Sequence, residues 1–179
     1  MPTPNSSLKQ KPIQTQTNEF VPVDLKLTVL TRIVAPKLSD FRKSDEIAKL
    51  LECYKSVYQD LSDDEIELIK HIDRAFKRDA LCRPWISTNV LSAAFREILN
   101  DQSITFRGVI FIDPKSIGIY AEKRPSGLEV YEYIKEGTTI DARVLVNSKE
   151  LSGPYIIMIG AKRTKGYGQV KIELSYPKK

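Results

Sequence analysis

An α+β domain with a ferredoxin-like (RRM-type) sheet is predicted for this chain by the order of its hydrophobic patterns. Apolar and polar residues alternate over residues 21–29, as in a strand with one buried face. Between residues 35 and 99 most apolar residues recur at helical spacing. Short strand patterns separated by Pro and Gly then continue to residue 175. This order is that of a ferredoxin-like fold with a helical insertion after the first strand.

Composition restricts the class of protein. A chain of 179 residues that is 41% hydrophobic can form one domain with a proper core, which we place at residues 20–176. The net charge of +5 favours acidic partners, of which nucleic acid is the commonest. The sequence has no run of 18 apolar residues and no signal-peptide core at its start, so we expect a soluble, cytoplasmic protein.

The cysteine content indicates a reducing compartment. The chain has two cysteines, Cys53 and Cys82, and one histidine. These are too few ligands for a cysteine-rich metal site, which is therefore excluded. A disulfide scaffold is not expected, and Cys82 is interpreted as a small apolar residue.

The two ends differ in composition from the domain. Residues 1–19 are rich in Pro, Ser, Thr, Gln and Asn, which predicts a disordered leader. Residues 177–179 form a short basic tail.

Three helices are predicted. Apolar residues three and four apart from Ile47 to Leu61 indicate an amphipathic helix. Ser62 and Glu65 form a capping box, so a second helix begins there and presents apolar residues as far as Phe76. These two helices make up the insertion at about residues 40–80. After the extended residues 84–86, a third helix begins at residue 87 or 88 and ends at residue 99.

Strands are predicted for the rest of the domain, at residues 104–113, 117–121, 128–134, 138–146 and 169–175. Residues 155–159 have strand propensity, but their position before the last strand would also suit a short helix, so both assignments stay open.

The most informative stretch is residues 160–168, called here the glycine segment. It contains Gly160, Lys162, Arg163, Lys165, Gly166, Tyr167 and Gly168. Glycines allow a backbone to approach a ligand and present N–H donors, and the cations attract phosphates. Tyr167 is a candidate for stacking on a base. The alternative is an ordinary strand-entry turn whose lysines are solvated. The spacing matches neither a phosphate loop of nucleotide hydrolases nor a dinucleotide fingerprint.

The chain resembles the RAMP proteins of CRISPR effector complexes, most of all the backbone subunits of type III (Csm and Cmr) complexes. The resemblance covers most of residues 20–175, and two motifs carry it. The glycine segment is similar to the glycine-rich loop that precedes the last strand of the family. A second motif has an aspartate, an Arg-Asp pair and a Pro-aromatic-Ile run that ends in arginine. It is matched by Asp73, Arg78, Asp79, Pro84, Trp85, Ile86, Leu91 and Arg96.

The resemblance implies a RAMP fold and an RNA-binding subunit that holds guide RNA. Its partners would be guide RNA, target RNA and other RAMP-type subunits, in a hetero-oligomeric assembly with self-stacking. Asn89 and Arg96 would join the residues of the glycine segment in binding RNA. Asp73 would be catalytic and cleave target RNA with a divalent ion, Mg²⁺. Residues 87–90 replace the Pro-Gly-Ser-Ser run of the family, which indicates a divergent paralogue.

Other interpretations remain open from the sequence. Asp73 could lie on the solvated face of the second helix and pair with Lys77, and Arg96 could form a surface salt bridge with Glu97. A non-catalytic structural or capping subunit of the same complex is a second interpretation, which the replacement of the Pro-Gly residues of the family motif favours. A guide-processing ribonuclease would have only His71 as an acid–base group. An RNA-binding domain unrelated to CRISPR is a further alternative.

Overall fold

The computed structural model describes residues 19–178, so nearly all of the predicted leader, together with Lys179 of the tail, lies outside the described residues. Helices and strands follow one another as β1 (Val21–Val29), β2 (Ile33–Val34), α1 (Lys43–Val57), α2 (Asp63–Lys70), β3 (Lys77–Arg78), β4 (Pro84–Ser87), α3 (Asn89–Leu99), β5 (Phe106–Arg107), β6 (Val109–Phe111), β7 (Ile117–Arg124), β8 (Gly127–Ile134), β9 (Thr139–Val146), β10 (Tyr155–Met158) and β11 (Gln169–Ser175). None of the helices within these residues is long and apolar enough to cross a membrane.

The main sheet is built around β1. Its strand order is β10-β11-β1-β9-β5, and every neighbouring pair is antiparallel. Along β1, Leu25 and Leu27 are buried while Lys26 between them is exposed, which is the alternation expected of a strand with one covered face. The mixed α/β class predicted from the sequence is therefore observed.

Helix α3 covers the buried face of this sheet. Leu91 and Phe95 are fully buried in the main hydrophobic cluster. The Phe95 ring lies 5.0 Å from the Phe106 ring and 5.1 Å from the Tyr155 ring, measured between centroids. These contacts tie α3 to both edges of the main sheet, because Phe106 belongs to β5 and Tyr155 to β10.

Helices α1 and α2 form a second hydrophobic cluster against β8. Leu50 and Tyr54 of α1 pack with Ile69 of α2 and with Val130 of β8. The predicted capping box is present, since Ser62 accepts a hydrogen bond from the Glu65 amide and Glu65 accepts one from the Ser62 amide. The description of this unit as an insertion into a ferredoxin-like fold stays a prediction.

A buried carboxylate connects the two clusters. Glu132 of β8 is fully buried and accepts two hydrogen bonds from the Arg78 guanidinium, at 2.9 and 2.7 Å. It also accepts hydrogen bonds from the Phe76 amide at 2.9 Å and from the Tyr54 hydroxyl. Glu132 therefore holds α1, β3 and β8 together.

The pKa values of its partners agree with this arrangement. Burial opposes the charge of Arg78, but the hydrogen bonds and the negative charge of Glu132 outweigh it and raise the pKa of Arg78. Burial and then the charge of Glu132 raise the pKa of Tyr54 far above its usual range. Both side chains therefore remain donors to the carboxylate.

The expectation that the two cysteines form no disulfide bond was wrong. Cys53 of α1 and Cys82 of the loop before β4 are joined by a disulfide bond, with their Cα atoms 5.3 Å apart. Their separation of 29 residues gave no signal, because the sequence alone does not show that α1 folds back on the β3–β4 loop.

Several predicted elements have different bounds in the structure. The strand expected at residues 104–113 is broken by Gly108, which has a φ of +128°, and its halves belong to different sheets. Helix α2 ends at Lys70, so Phe76 lies in an extended segment rather than on its apolar face. Residues 155–158 form a strand, which resolves that alternative. Thr88 occupies the N-cap position of α3 but makes no capping hydrogen bond. Its hydroxyl lies within donating distance of the Phe106 and Gly108 carbonyl oxygens, at 3.1 and 3.0 Å.

We predict that Arg78→Ala destabilises the fold severely, because it leaves the Glu132 carboxylate buried without a counter-charge. The expected loss in free energy of unfolding is about 3–5 kcal/mol, measured by urea denaturation. The matched control is Arg143→Ala, which removes an exposed arginine paired with Asp24 and should change stability little. Equal losses in the two variants would contradict the structural role given to Arg78.

Candidate nucleic-acid interface

The glycine segment is folded against the strands rather than extended into solvent. The Ala161 amide donates to the Val34 carbonyl at 3.0 Å, and the Gly168 amide donates to the Arg32 carbonyl at 2.8 Å. The amides of Lys165 and Gly166 also donate within the protein. The Gly166 and Gly168 amides are therefore already bonded within the protein, so the row of bare N–H donors expected from the three glycines is not present.

Two of the three glycines are required by packing. A Cβ at Gly168 would lie 2.0 Å from the Ile159 carbonyl oxygen, and one at Gly160 would lie 2.8 Å from the Val34 oxygen. Gly166 also has a positive φ, +85°, but a Cβ there would meet open space. Gly160 and Gly168 therefore allow the backbone to approach neighbouring strands, whereas Gly166 only completes a turn.

The three cations of the segment have different environments. The Lys162 side chain is 14% exposed, and its ammonium lies 3.2 Å from the Glu129 carboxylate. Arg163 and Lys165 are exposed and form no ion pair with the residues described. Arg163 and Lys165 are therefore the cations of the segment that are available to an anion.

Tyr167 packs on an arginine that the sequence analysis did not single out. The guanidinium carbon of Arg32 lies 5.3 Å from the centre of the Tyr167 ring and 4.3 Å from that of the Tyr133 ring. Arg32 also donates to the Tyr131 hydroxyl at 3.3 Å. Such contacts stabilise a cation over an aromatic face, so Tyr167 anchors the glycine segment to β8. Its role in stacking on a base stays a prediction.

A groove of about 720 Å³ runs from the glycine segment to the start of α3. Its lining comes from β2 and the residues after it, from the glycine segment and from the start of α3, and includes Ile33, Val34, residues 36–37, residues 158–161, Arg163, Trp85, Asn89, Val90 and Ala93. Its cations are Lys37, Arg74, Lys77 and Arg163, and no carboxylate of residues 19–178 lines it. None of the four forms an ion pair with a carboxylate in the described part of the chain.

The groove brings part of the predicted RNA-binding set together. Gly160, Arg163 and Asn89 line it, and Asn89 is exposed at the first position of α3. Lys37, Arg74 and Lys77 were missed as ligands, because they lie in separate segments that only the fold unites. Trp85, interpreted from the sequence as a core residue, is half-buried and lines the same groove.

Arg96 lies apart from the groove, about two turns along α3 from Asn89. Its Nε donates to the Ile104 carbonyl at 2.7 Å, and its Nη2 donates to the Thr105 hydroxyl at 3.0 Å. It therefore connects α3 to the segment that enters β5. The salt bridge to Glu97 is not formed, and RNA binding by Arg96 stays a prediction.

Asp73 lies beyond the end of α2, at a bend in the segment that leads to β3. Its backbone is held on both sides, since its amide donates to the Val130 carbonyl and its carbonyl accepts from the Leu38 amide. Its carboxylate lies 2.5 Å from the Lys43 ammonium, with 39% of the side chain exposed. The pairing with Lys77 expected for a helical Asp73 was wrong.

The surroundings of Asp73 do not fit a preformed magnesium site. Its carboxylate is neutralised by the Lys43 ammonium, which a cation would have to displace. Within residues 19–178, no group of three or more His, Cys, Asp or Glu side chains is arranged to hold a metal. His71 at the end of α2 lies 3.5 Å from Glu67, and no nucleophile is paired with it in the described residues.

We predict that Gly168→Ala and Gly166→Ala separate packing from turn geometry. Both variants place a Cβ at positive φ, at a cost of about 1–2 kcal/mol. Gly168→Ala also forces the segment away from Ile159, so it should lower the free energy of unfolding by several times the loss in Gly166→Ala. Chemical denaturation of both variants measures the difference, and equal losses would contradict the packing seen at Gly168.

Comparisons with known proteins identify the fold. No family model and no curated protein matches this chain. Among solved structures, a chain of Type III-B Cmr-beta bound to cognate target RNA, determined by cryo-EM, matches with a TM-score of 0.51. The match has 10% sequence identity and covers 89% of this chain and 98% of that one. A chain of Type III-B Cmr-beta in its apo state matches with a TM-score of 0.50 and 11% identity, over 88% of this chain and 98% of that one. The likeness implied by the sequence motifs is confirmed for the fold, which this chain shares with these chains of Type III-B Cmr-beta.

Proposed function

We propose that this chain is an RNA-binding subunit of a type III CRISPR effector complex and that its groove holds the sugar-phosphate backbone of guide RNA. The observation that supports this most is the set of unpaired cations Lys37, Arg74, Lys77 and Arg163 in a groove that no carboxylate of residues 19–178 lines. Several unpaired cations in one groove favour a polyanion, because each neutralised phosphate releases counterions. The proposal includes assembly with other RAMP-type subunits, self-stacking, target RNA as the second nucleic acid, and a cytoplasmic location.

The sheet order supports the finer assignment of a ferredoxin-like RAMP fold. The last strand, β11, lies beside β1, and β9 separates β1 from β5. In a ferredoxin-like sheet the fourth strand lies beside the first and the third beside the first on its other side. Strand β10 is then an addition at the edge, in place of the second helix. The separate hydrophobic cluster of α1 and α2 supports their description as an insertion.

The exposed face of the main sheet is a poorer RNA surface than the groove. On that face Asp24 and Arg143 form an ion pair at 2.7 Å, and Lys171 lies near Glu173. An RRM-type sheet uses exposed aromatic residues to stack bases. The mixed charges of this face favour neither a phosphate backbone nor stacking, so the RNA is assigned to the groove.

We predict that Arg74→Ala and Arg163→Ala each weaken RNA binding and flatten its salt dependence. Each lost phosphate contact should lower the slope of log affinity against log salt by about 0.7 for a single strand. Fluorescence anisotropy with a labelled RNA measures both quantities. Arg143→Ala is the matched control, because this arginine is already paired with Asp24 on the far face. A similar loss of affinity in the control would place the RNA elsewhere.

Cleavage of target RNA through Asp73 is the second candidate function. In its favour, Asp73 lies outside the helix with a half-exposed carboxylate. Against it, Lys43 already neutralises this carboxylate, which favours the non-catalytic structural subunit. We therefore propose binding as the primary role, and Mg²⁺-dependent cleavage remains a separate hypothesis that the family resemblance implies.

We predict that Asp73→Ala leaves RNA affinity unchanged and does not alter the processing of complementary RNA by the assembled complex. Gel analysis of labelled target RNA, with and without Mg²⁺, measures processing. Asp141→Ala on the exposed face of β9 is the control for the loss of a surface carboxylate. If regular cleavage is lost in Asp73→Ala and retained in the control, the catalytic candidate is correct and the non-catalytic assignment is overturned.

A further inference from the structure

A second cavity adjoins the groove and is called here the α1 pocket. It measures about 560 Å³ and lies between α1 and the Trp85 side of the groove. The two cavities share Pro36, Lys37, Phe76, Lys77 and Trp85 in their walls. An RNA strand in the groove therefore passes the mouth of a pocket that is large enough for one nucleotide.

The α1 pocket contains a carboxylate without a protein partner. Glu46 lines it, and its Oε2 atom is buried without a hydrogen bond. The Glu46 carboxylate also forms no ion pair with any side chain of residues 19–178. A buried acceptor that makes no hydrogen bond is costly, so its presence requires an explanation. A ligand that donates hydrogen bonds provides one.

The charges around Glu46 restrict what that ligand can be. Lys37, Arg42, Lys49 and Lys77 line the pocket, and none of them is paired with a carboxylate in the described part of the chain. Together they repel a cationic ligand such as a lysine or arginine side chain. The pocket is therefore suited to a ligand that combines neutral donor groups with a phosphate.

Trp85 provides an aromatic face at the junction between pocket and groove. It is half-buried, and the Lys77 ammonium lies 5.8 Å from the centre of its ring system. Stacking of a base on such a ring contributes about 1–3 kcal/mol by alanine substitution in single-strand binders. A base turned out of the strand would therefore find a stacking partner where it enters the α1 pocket.

We propose that the α1 pocket binds a guanine base of the RNA. The base stacks on Trp85, its N1–H and N2–H groups donate to the Glu46 carboxylate, and its phosphate lies among the pocket cations. Guanine fits because it is the common base that presents two adjacent donors on its Watson–Crick edge. The assignment deepens the RNA-binding function proposed above and depends on it for the polymer that delivers the base.

The sequence contains a single tryptophan, Trp85, so tryptophan fluorescence reports directly on the occupancy of the pocket. The full-length protein is titrated with guanosine, inosine, adenosine and uridine monophosphates. Inosine monophosphate lacks only the N2 amino group, so it loses one hydrogen bond to the carboxylate. We expect the guanosine nucleotide to bind about tenfold more tightly than the inosine nucleotide.

Glu46→Gln should abolish this preference, because the amide retains only one acceptor oxygen. Glu52→Gln, on the exposed side of α1, is the matched control and should keep the preference. Equal affinities for all four nucleotides, or an unchanged preference in Glu46→Gln, would overturn the proposal. Salt-dependent RNA binding without base preference would refute the pocket and leave the proposed function intact. Guanine preference without affinity for RNA polymers would support the pocket and refute the proposed function.

Discussion

The ion pair between Glu132 and Arg78 is the contact on which the groove and the α1 pocket both depend. Glu132 lies on β8 and receives hydrogen bonds from Arg78 of β3 and Tyr54 of α1. Strand β3 pairs in turn with β4, where Lys77 faces Trp85 and Arg78 faces Pro84. One carboxylate therefore sets the positions of α1 and Trp85, which form the two walls of the pocket. A charge buried this completely is tolerated because every partner donates to it.

The same network changes how the Arg-Asp motif of the sequence is interpreted. Arg78 is a buried structural residue, and Asp79 accepts hydrogen bonds from the Leu81 and Arg83 amides and from the Arg83 guanidinium. These contacts fix the loop that leads into β4, the strand that carries Trp85. Arg78 and Asp79, which the motif would suggest as ligands, therefore act by positioning other residues. Of the unpaired groove cations, Lys37, Arg74 and Lys77 were singled out by neither motif, whereas Arg163 belongs to the glycine segment.

Local patterns predicted what depends on local chemistry. The alternation of β1, the capping box at Ser62 and the last strand were all read from spacing alone. The sequence could not predict that the amides of the glycine segment are bonded to residues 32–34, since these contacts join parts of the chain more than 120 residues apart. For the same reason it could not show that Lys37, Arg74 and Arg163 meet in one groove, or that Lys43 neutralises Asp73. The end of α2 at Lys70 was missed because Ile72 and Phe76 continue its apolar spacing. Ile72 packs in the same cluster as Ile69 of α2, whereas Phe76 belongs to the main cluster.

The disulfide bond between Cys53 and Cys82 joins α1 to the loop before β4, whereas the Glu132 contacts join α1 and β3 to β8. Thiols are kept reduced in the cytosol, whereas an ion pair is insensitive to redox potential. Because both connections hold α1, cleavage of the disulfide bond leaves α1 attached to β8 through the hydrogen bond from Tyr54 to Glu132, and Glu132 to β3 through Arg78. Two independent connections therefore maintain the geometry of the α1 pocket, and only the disulfide bond responds to redox conditions.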